Sequence, residues 1–205
     1  MANFKPLKNY IFYCLDELIR RHSLEGPFLD IGCGIGDISL FLARKGWEGK
    51  AIDFSETAVQ NARKNLSQFP KISIKHASLD QVEGTYNTIL LMDVIEHIEG
   101  DLHVFEKVFQ LLGPQGYLVI STPSNPREWR WDDDFYGHLR RYTSHEMKSK
   151  LEIESPSSLI TDNMDPHYRF YSRKVTEKSF NRWSLQPLDA DGKLLYSWAQ
   201  YRKFF

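Results

Sequence analysis

The run Phe28-Leu29-Asp30-Ile31-Gly32-Cys33-Gly34-Ile35-Gly36-Asp37 constrains the fold of this chain more than any other stretch. Its first four residues are apolar in the main and follow Gly26-Pro27, the pattern of a buried strand opened by a turn. Gly32, Gly34 and Gly36 remove Cβ atoms where the backbone must turn sharply and where a ligand can come close. From Asp37 onward Ile38, Phe41 and Leu42 recur at helical spacing, and Gly46 closes the helix behind Ala43-Arg44-Lys45. Strand, glycine loop and helix together make the first half of a nucleotide-binding βαβ unit. An α/β fold is expected around it.

The loop does not suit a dinucleotide. A G-x-G-x-x-G fingerprint would need its third glycine at position 37, which is Asp37. A pyrophosphate at a helix N-terminus also needs positive potential, whereas Asp30 and Asp37 place carboxylates beside the ligand. That charge suits a ligand with a cationic amino group and no phosphate, and S-adenosylmethionine has an ammonium, a carboxylate and a sulfonium. Leu29-Asp30-Ile31-Gly32-Cys33-Gly34-Ile35-Gly36 resembles the first motif of the class I S-adenosylmethionine-dependent methyltransferases. The resemblance implies that Asp30, Gly32, Cys33, Gly34 and Gly36 hold the methionine half of the cofactor.

Length and charge bound the rest. With 205 residues, 41% of them hydrophobic and 26% charged, the chain fills one good globular domain. A formal net charge of -1 supplies no global field for nucleic acid or anionic membrane. Cys14 and Cys33 are the only cysteines, which argues against a disulfide scaffold and makes Cys33 a small packing residue rather than a redox group. Neither a signal peptide nor a bilayer-spanning run is visible, so a cytoplasmic location without a membrane span is expected.

Residues 7–21 carry apolar groups at helical spacing with Arg20-Arg21 near the end, the pattern of a helix that covers the core, with Tyr10, Phe12 and Tyr13 beside the cofactor as the alternative. Lys50-Ala51-Ile52-Asp53-Phe54 reads as the second strand. Asp53 at its end can accept from both hydroxyls of a ribose. Its competing role as a helix cap is filled by Ser55, ahead of Glu56-Thr57-Ala58, and Phe54 is placed against the adenine. Ile72-Ser73-Ile74-Lys75 is the third strand. In the family the loop behind it commonly reads Gly-Asp-Ala; here it is His76-Ala77-Ser78-Leu79-Asp80, so Ser78 and Leu79 are left to border the base, with Asp80 as a substitute carboxylate. Tyr86-Asn87-Thr88-Ile89-Leu90-Leu91-Met92 is apolar enough for a central parallel strand, and Met92 borders the methyl site. The following Asp93-Val94-Ile95-Glu96-His97 resembles the family's fourth motif. His97 is a candidate general base or a structural residue of the turn.

A helix over residues 101–112, a turn at Gly113-Pro114-Gln115-Gly116 and a fifth strand over 117–122 follow, again as in the family. Residues 123–142 read as a long loop holding Trp129, Trp131, Phe135, Tyr136 and three consecutive acids, with Gly137-His138-Leu139-Arg140-Arg141-Tyr142 behind. The last string resembles a pattern that borders the substrate cleft in a bacterial-type branch of these enzymes. Trp129, Trp131, Tyr136, His138, Arg140 and Arg141 are therefore candidate acceptor-binding residues, unless the arginines stack on the aromatics or pair with Asp132, Asp133 and Asp134. Thr143-Ser144-His145-Glu146 opens a capped helix. Beyond it the pattern weakens: Ser158-Leu159-Ile160-Thr161 and Tyr168-Arg169-Phe170-Tyr171 are the candidates for the family's closing antiparallel pair, and residues 193–205 for a helix with an aromatic face. No metal-ligand spacing is visible, and the seven histidines are spread out.

The expected architecture is a Rossmann-like three-layer α/β sandwich with a mostly parallel seven-stranded sheet. Residues 1–155 form the S-adenosylmethionine-binding methyltransferase domain, and 156–205 an extension that completes or flanks the sheet. The expected activity is O- or N-methylation of a small-molecule acceptor, with anionic acceptors among the candidates. A nucleic-acid methyltransferase, a dinucleotide-dependent dehydrogenase and a non-catalytic protein retaining the fold are the rivals.

Overall fold

The structure, a computed structural model, describes residues 6–154, 159–162 and 168–174. The aromatics from Trp183 to Phe205 and the helix expected over 193–205 lie outside the described residues. In chain order the elements are α1 (Pro6–His22), β1 (Phe28–Ile31), α2 (Asp37–Arg44), β2 (Gly49–Asp53), α3 (Glu56–Asn65), β3 (Ile72–His76) and β4 (Tyr86–Met92). Then come α4 (Asp101–Leu111), β5 (Leu112–Pro123), α5 (Trp131–Tyr136), α6 (Ser144–Glu154), β6 (Leu159–Asp162) and β7 (Tyr168–Lys174).

The strands lie in the order β3-β2-β1-β4-β5-β7-β6. The first five run parallel. β7 pairs antiparallel with β5, Tyr117 facing Lys174 and Pro123 facing Tyr168, and β6 pairs antiparallel with β7. The chain winds outward in both directions from β1 and β4, so these neighbours form the switch point at whose carboxyl ends an open α/β sheet takes its ligands.

Alternation along the strands divides the core in two. Phe28, Ala51, Leu90 and Val119 pack with α1, α2 and α3 on one face. Leu29, Ile52, Leu91, Ile120 and their neighbours pack with Val104, Phe105 and Val108 of α4 and Met147 and Leu151 of α6 on the other. Both faces are covered, giving the Rossmann-like layering the sequence suggests. Local signals fix the helix starts: Ser55 Oγ accepts from the Ala58 amide at 3.3 Å. At α6 the Thr143 amide donates to Glu146 at 2.8 Å while the Glu146 amide donates to Thr143 Oγ1 at 3.1 Å, a complete capping box.

Two expected boundaries are corrected. Residues 113–116 are not a turn ahead of the fifth strand but a bulge within β5, across which the pairing jumps from Tyr86↔Leu112 to Thr88↔Tyr117. The two glycines permit it, since a Cβ on Gly116 would lie 2.9 Å from the Gly113 carbonyl oxygen. Residues 123–142 are not one long loop, because a short helical turn at Pro126–Glu128 and the helix α5 fall within them.

Candidate functional site

The glycine loop leaves β1 at the carboxyl edge of the sheet and is held from several sides. Cys33 donates its amide to the Ile52 carbonyl at 2.9 Å, and Asn65 of α3 donates to the Ile35 carbonyl at 2.9 Å. The three glycines meet different surroundings. A Cβ on Gly32 would lie 2.6 Å from Val94, and one on Gly36 would lie 2.8 Å from Leu66. At Gly34, φ is +54° and a Cβ would meet nothing within 4 Å. The outer two glycines therefore let the loop nest against its neighbours, while Gly34 faces open space.

Two carboxylates frame that space. Asp53 at the end of β2 accepts from the Gly34 amide at 2.8 Å with Oδ2 and from the Ser55 amide at 2.8 Å with Oδ1. Asp53 thus ties the loop to the start of α3. Asp30 is 1% exposed and lies beneath the loop, its Oδ2 accepting from Ser39 Oγ of α2 at 2.6 Å. Burial pushes its carboxyl up to about 7, against the hydrogen bonds from Ser39. Burial likewise pushes the Cys33 thiol up, with the charges of Asp30 and Asp53 adding to the effect. Such a thiol stays protonated, which fits packing and not redox chemistry.

Phe54, 85% exposed, stands beyond Asp53. Past β3, Gln81 Oε1 accepts from the Ser78 amide at 2.9 Å, and Leu79 is half-buried against the α4 side of the core. The suggested substitute carboxylate is engaged elsewhere, because Asp80 Oδ1 meets His103 Nε2 at 2.9 Å. Met92, half-buried, closes β4.

The turn after β4 concentrates strain and buried charge. Asp93 adopts φ +56°, a conformation that short polar side chains tolerate best, and its Oδ1 accepts from Ser121 Oγ at 2.7 Å. Glu96 is fully buried, and neither carboxylate oxygen has a hydrogen-bond partner within the protein. Thr122 Oγ1 lies beside it, close enough to favour the charged form without reaching hydrogen-bonding geometry. Burial, helped by the charge of Asp93, pushes Glu96 up to about 8. His97 is exposed, and its Nδ1 faces the Gly137 carbonyl at 3.2 Å.

The segment around α5 folds down on this turn. The Leu139 amide donates to the Glu96 carbonyl at 2.8 Å, and the rings of His97 and His138 lie edge to face with centroids 4.9 Å apart. Asp133 organises the segment. It accepts from Arg141 Nε and Nη2 at 2.8 and 2.7 Å, from the Arg130 amide at 2.8 Å, and faces His138 Nδ1 at 2.8 Å. Burial opposes its ionisation, but Arg141 and His138 outweigh burial and hold it well below the usual carboxylate range. Of the expected acceptor residues, Arg141 is therefore bonded to Asp133 and not to the cleft. Arg140 faces Asp101, 3.2 Å away, and donates to the Glu99 carbonyl at 3.1 Å. Trp129 Nε1 donates to Asp134 at 3.1 Å, while Trp131 and Tyr136 remain 76% and 65% exposed. Tyr136 stacks toward His138 at 6.2 Å between centroids. A run of exposed rings thus leads from Trp131 through Phe135 and Tyr136 to the two histidines.

Several residues that build this edge were not picked out from the sequence: Ser39 under Asp30, Val94 against Gly32, and Asp101, which takes Tyr142 Oη at 2.9 Å and Lys150 at 2.9 Å.

A family model described as a methyltransferase domain matches residues 7–152. The chain is 34% identical over 102 residues to the mitochondrial ubiquinone biosynthesis O-methyltransferase of Schizosaccharomyces pombe, covering 47% of this chain and 37% of that one. Among solved structures it resembles the methyltransferase domain of bacterial CtHen1, with a TM-score of 0.66 and 22% identity over 82% of this chain and 100% of that one. It also resembles the magnesium protoporphyrin IX methyltransferase of Synechocystis PCC 6803 with bound SAH, with a TM-score of 0.65 and 19% identity over 82% of each. The chain spans between 37% and 58% of the length of the first curated relatives it matches.

Proposed function

This chain belongs to the methyltransferase family, and from that premise we propose that it transfers a methyl group from S-adenosylmethionine to an oxygen or nitrogen of a small-molecule acceptor. The observation that carries the reading is the open face of Gly34, whose amide is fixed by Asp53 while no protein atom lies within 4 Å of where a Cβ would point. A cradle of this kind, floored by the buried carboxylate of Asp30, fits the cationic amino acid half of the cofactor. Asp53 has two of its lone-pair positions on backbone amides, and the rest of a carboxylate's capacity is open to the two ribose hydroxyls. Phe54, Ser78 and Leu79 would border the adenine, and Met92 the methyl site. When bound, the cofactor supplies a methyl group on a sulfonium, a leaving group that needs no further activation.

The chain's remaining task is to position the acceptor and take its proton. His97 and His138 lie together where β4 and the α5 segment meet, with His97 the candidate base. Trp129, Trp131 and Tyr136 offer apolar ring surface beside them. With Arg141 bonded to Asp133 and Arg140 beside Asp101, the case for phosphate-holding arginines and a nucleic-acid acceptor weakens. Relatives named as O-methyltransferases support an oxygen acceptor. We read β7 and β6 as completing a seven-stranded sheet of the family type and a cytoplasmic setting as the one this chemistry supposes. No helix among the described residues is long and apolar enough to cross a membrane.

Calorimetry with S-adenosylhomocysteine tests the reading. Unmodified protein should bind at micromolar concentration, and Gly34→Ala should lose at least tenfold in affinity while keeping its circular dichroism. The added methyl meets no protein atom, and the left-handed backbone costs about 1–2 kcal/mol of stability. Absence of binding at millimolar ligand would reject the cofactor; binding without turnover on any oxygen or nitrogen acceptor would favour a non-catalytic relative.

A further inference from the structure

We propose that His76, at the end of β3, is the positioning residue for the adenosine end of the cofactor: it holds the backbone of Phe54, and with it the ring that borders the adenine. The proposal rests on the methyl-transfer reading, from which the cofactor site is taken. His76 faces Asp53 in the register of β2 and β3, both strands end at this pair, and the Ala77 amide donates to the Asp53 carbonyl at 3.2 Å. One residue further on, a side chain takes over from the ladder. His76 Nε2 meets the Phe54 carbonyl at 2.8 Å. A carbonyl oxygen can only accept, so Nε2 carries the proton and donates it.

The Phe54 ring is 85% exposed, so packing does not decide where it points. Its direction follows from the backbone of the turn between β2 and α3. That turn is fixed on both sides of Phe54. Before it, Asp53 accepts from the Gly34 and Ser55 amides, each at 2.8 Å; after it, Ser55 Oγ accepts from the Ala58 amide at 3.3 Å. His76 fixes the peptide unit of Phe54 itself. The imidazole is aimed in turn by Glu56, the first residue of α3, whose Oε2 lies 3.0 Å from Nδ1 while its Oε1 accepts from Gln60 at 3.3 Å. One ring thus joins the end of β3, the turn and the start of α3.

Stability is a poor explanation for this arrangement. The side chains of His76 and Glu56 are 48% and 51% exposed, and an ion pair surrounded by that much water adds little to the folded state. What it supplies is preorganisation: a ring already held beside Asp53 does not have to be ordered when the base arrives. The same turn presents the Asp53 carboxylate to the ribose, so drift of the Phe54 peptide would move the stacking surface away from a nucleoside whose sugar is fixed. The sequence concealed the role, because His76 and Phe54 stand 22 positions apart and meet only when β3 lies beside β2.

The test is calorimetric titration with S-adenosylhomocysteine of the full-length protein, of Phe54→Ala, His76→Ala and the two combined, and of His76→Gln. Phe54→Ala should weaken binding about tenfold, within the range for a base stacked on an aromatic ring. His76→Ala should weaken it at least about threefold. Because His76 acts through Phe54, the double variant should bind no more weakly than Phe54→Ala alone. His76→Gln places an amide N–H where Nε2 stood, and should restore the affinity to within about twofold of the unmodified protein. Both positions are open to solvent, so the melting temperature should stay within about 2 °C throughout. Unchanged affinity in either alanine variant, losses that add in the double variant, a His76→Gln protein as weak as His76→Ala, or a melting temperature that falls with the affinity overturns the proposal. In each of those outcomes the unmodified protein still binds the ligand and the methyl-transfer reading stands. Unmodified protein that binds no S-adenosylhomocysteine overturns both.

Discussion

Asp30 shows how one side chain links the sequence pattern to a measurable property. Burial beneath the glycine loop raises its carboxyl to about 7, while Ser39 holds one oxygen at 2.6 Å. Its folded value lies above the ordinary one, so the stabilisation it gives is complete at low pH and is lost as pH rises toward 7. A cationic ligand above the loop reverses that preference, because the ammonium favours the ionised form. Binding of S-adenosylhomocysteine should then release a proton below neutrality. Affinity should climb with pH, by up to about tenfold per unit below 7, and level off above. Calorimetry from pH 5.5 to 8.5 measures this, with Asp30→Asn expected to flatten the dependence; a profile flat in the unmodified protein would mean that Asp30 does not sense the ligand. The residue itself was legible, since a carboxylate in an apolar strand just before three spaced glycines has few structural uses. Its partner Ser39 was not, because the contact joins two elements and leaves no trace in local spacing.

At the scale of elements, the segment around α5 departs most from its reading as a loop. Its three acids were legible only as a group; the fold distinguishes them, burying Asp133 at the centre of the segment and leaving Asp134 to Trp129. Arg141 and Arg140, adjacent in sequence, serve different neighbours for the same reason that successive residues of an extended stretch face opposite ways. Arg141→Lys keeps the charge but removes the fork that grips Asp133 with two bonds. It should lower stability by about 1.5–3 kcal/mol, the range for hydrogen bonds to a charged group. Acceptor KM should rise only through loosening of His138. Arg140→Lys, replacing a partly exposed contact to Asp101, should change stability by less than about 1 kcal/mol. Thermal melting and acceptor KM measured together decide the matter. An Arg141→Lys protein with an unchanged melting point and a raised KM would return that arginine to the cleft.

The whole molecule rests on a division of the sheet. Strands β1 to β4, and β5 from Tyr117 on, were readable one by one, since each is a short apolar or alternating run. Their order was readable only through the family resemblance, because strand neighbours are chosen by packing of helices at a distance. The candidate site residues lie at or beyond the carboxyl ends of the parallel strands, whereas the antiparallel pair contributes backbone to the far side of β5. The seven residues from Tyr117 to Pro123 each face a residue of β7. A chain ending at Glu154 would leave that row of amides and carbonyls open beside a strand whose side chains are almost wholly buried. Long, flat, apolar edges associate with one another, because a second copy can supply the missing hydrogen bonds. The shortened protein should therefore self-associate as concentration rises, while its glycine loop, two strands away across β4, still binds S-adenosylhomocysteine at close to one equivalent per chain. Size-exclusion chromatography across a hundredfold range of concentration, followed by calorimetry, separates the two halves of this expectation. A shortened chain that stays monomeric shows that β5 tolerates an open edge. One that associates and also loses the ligand shows that the antiparallel pair is needed to hold the parallel sheet in register.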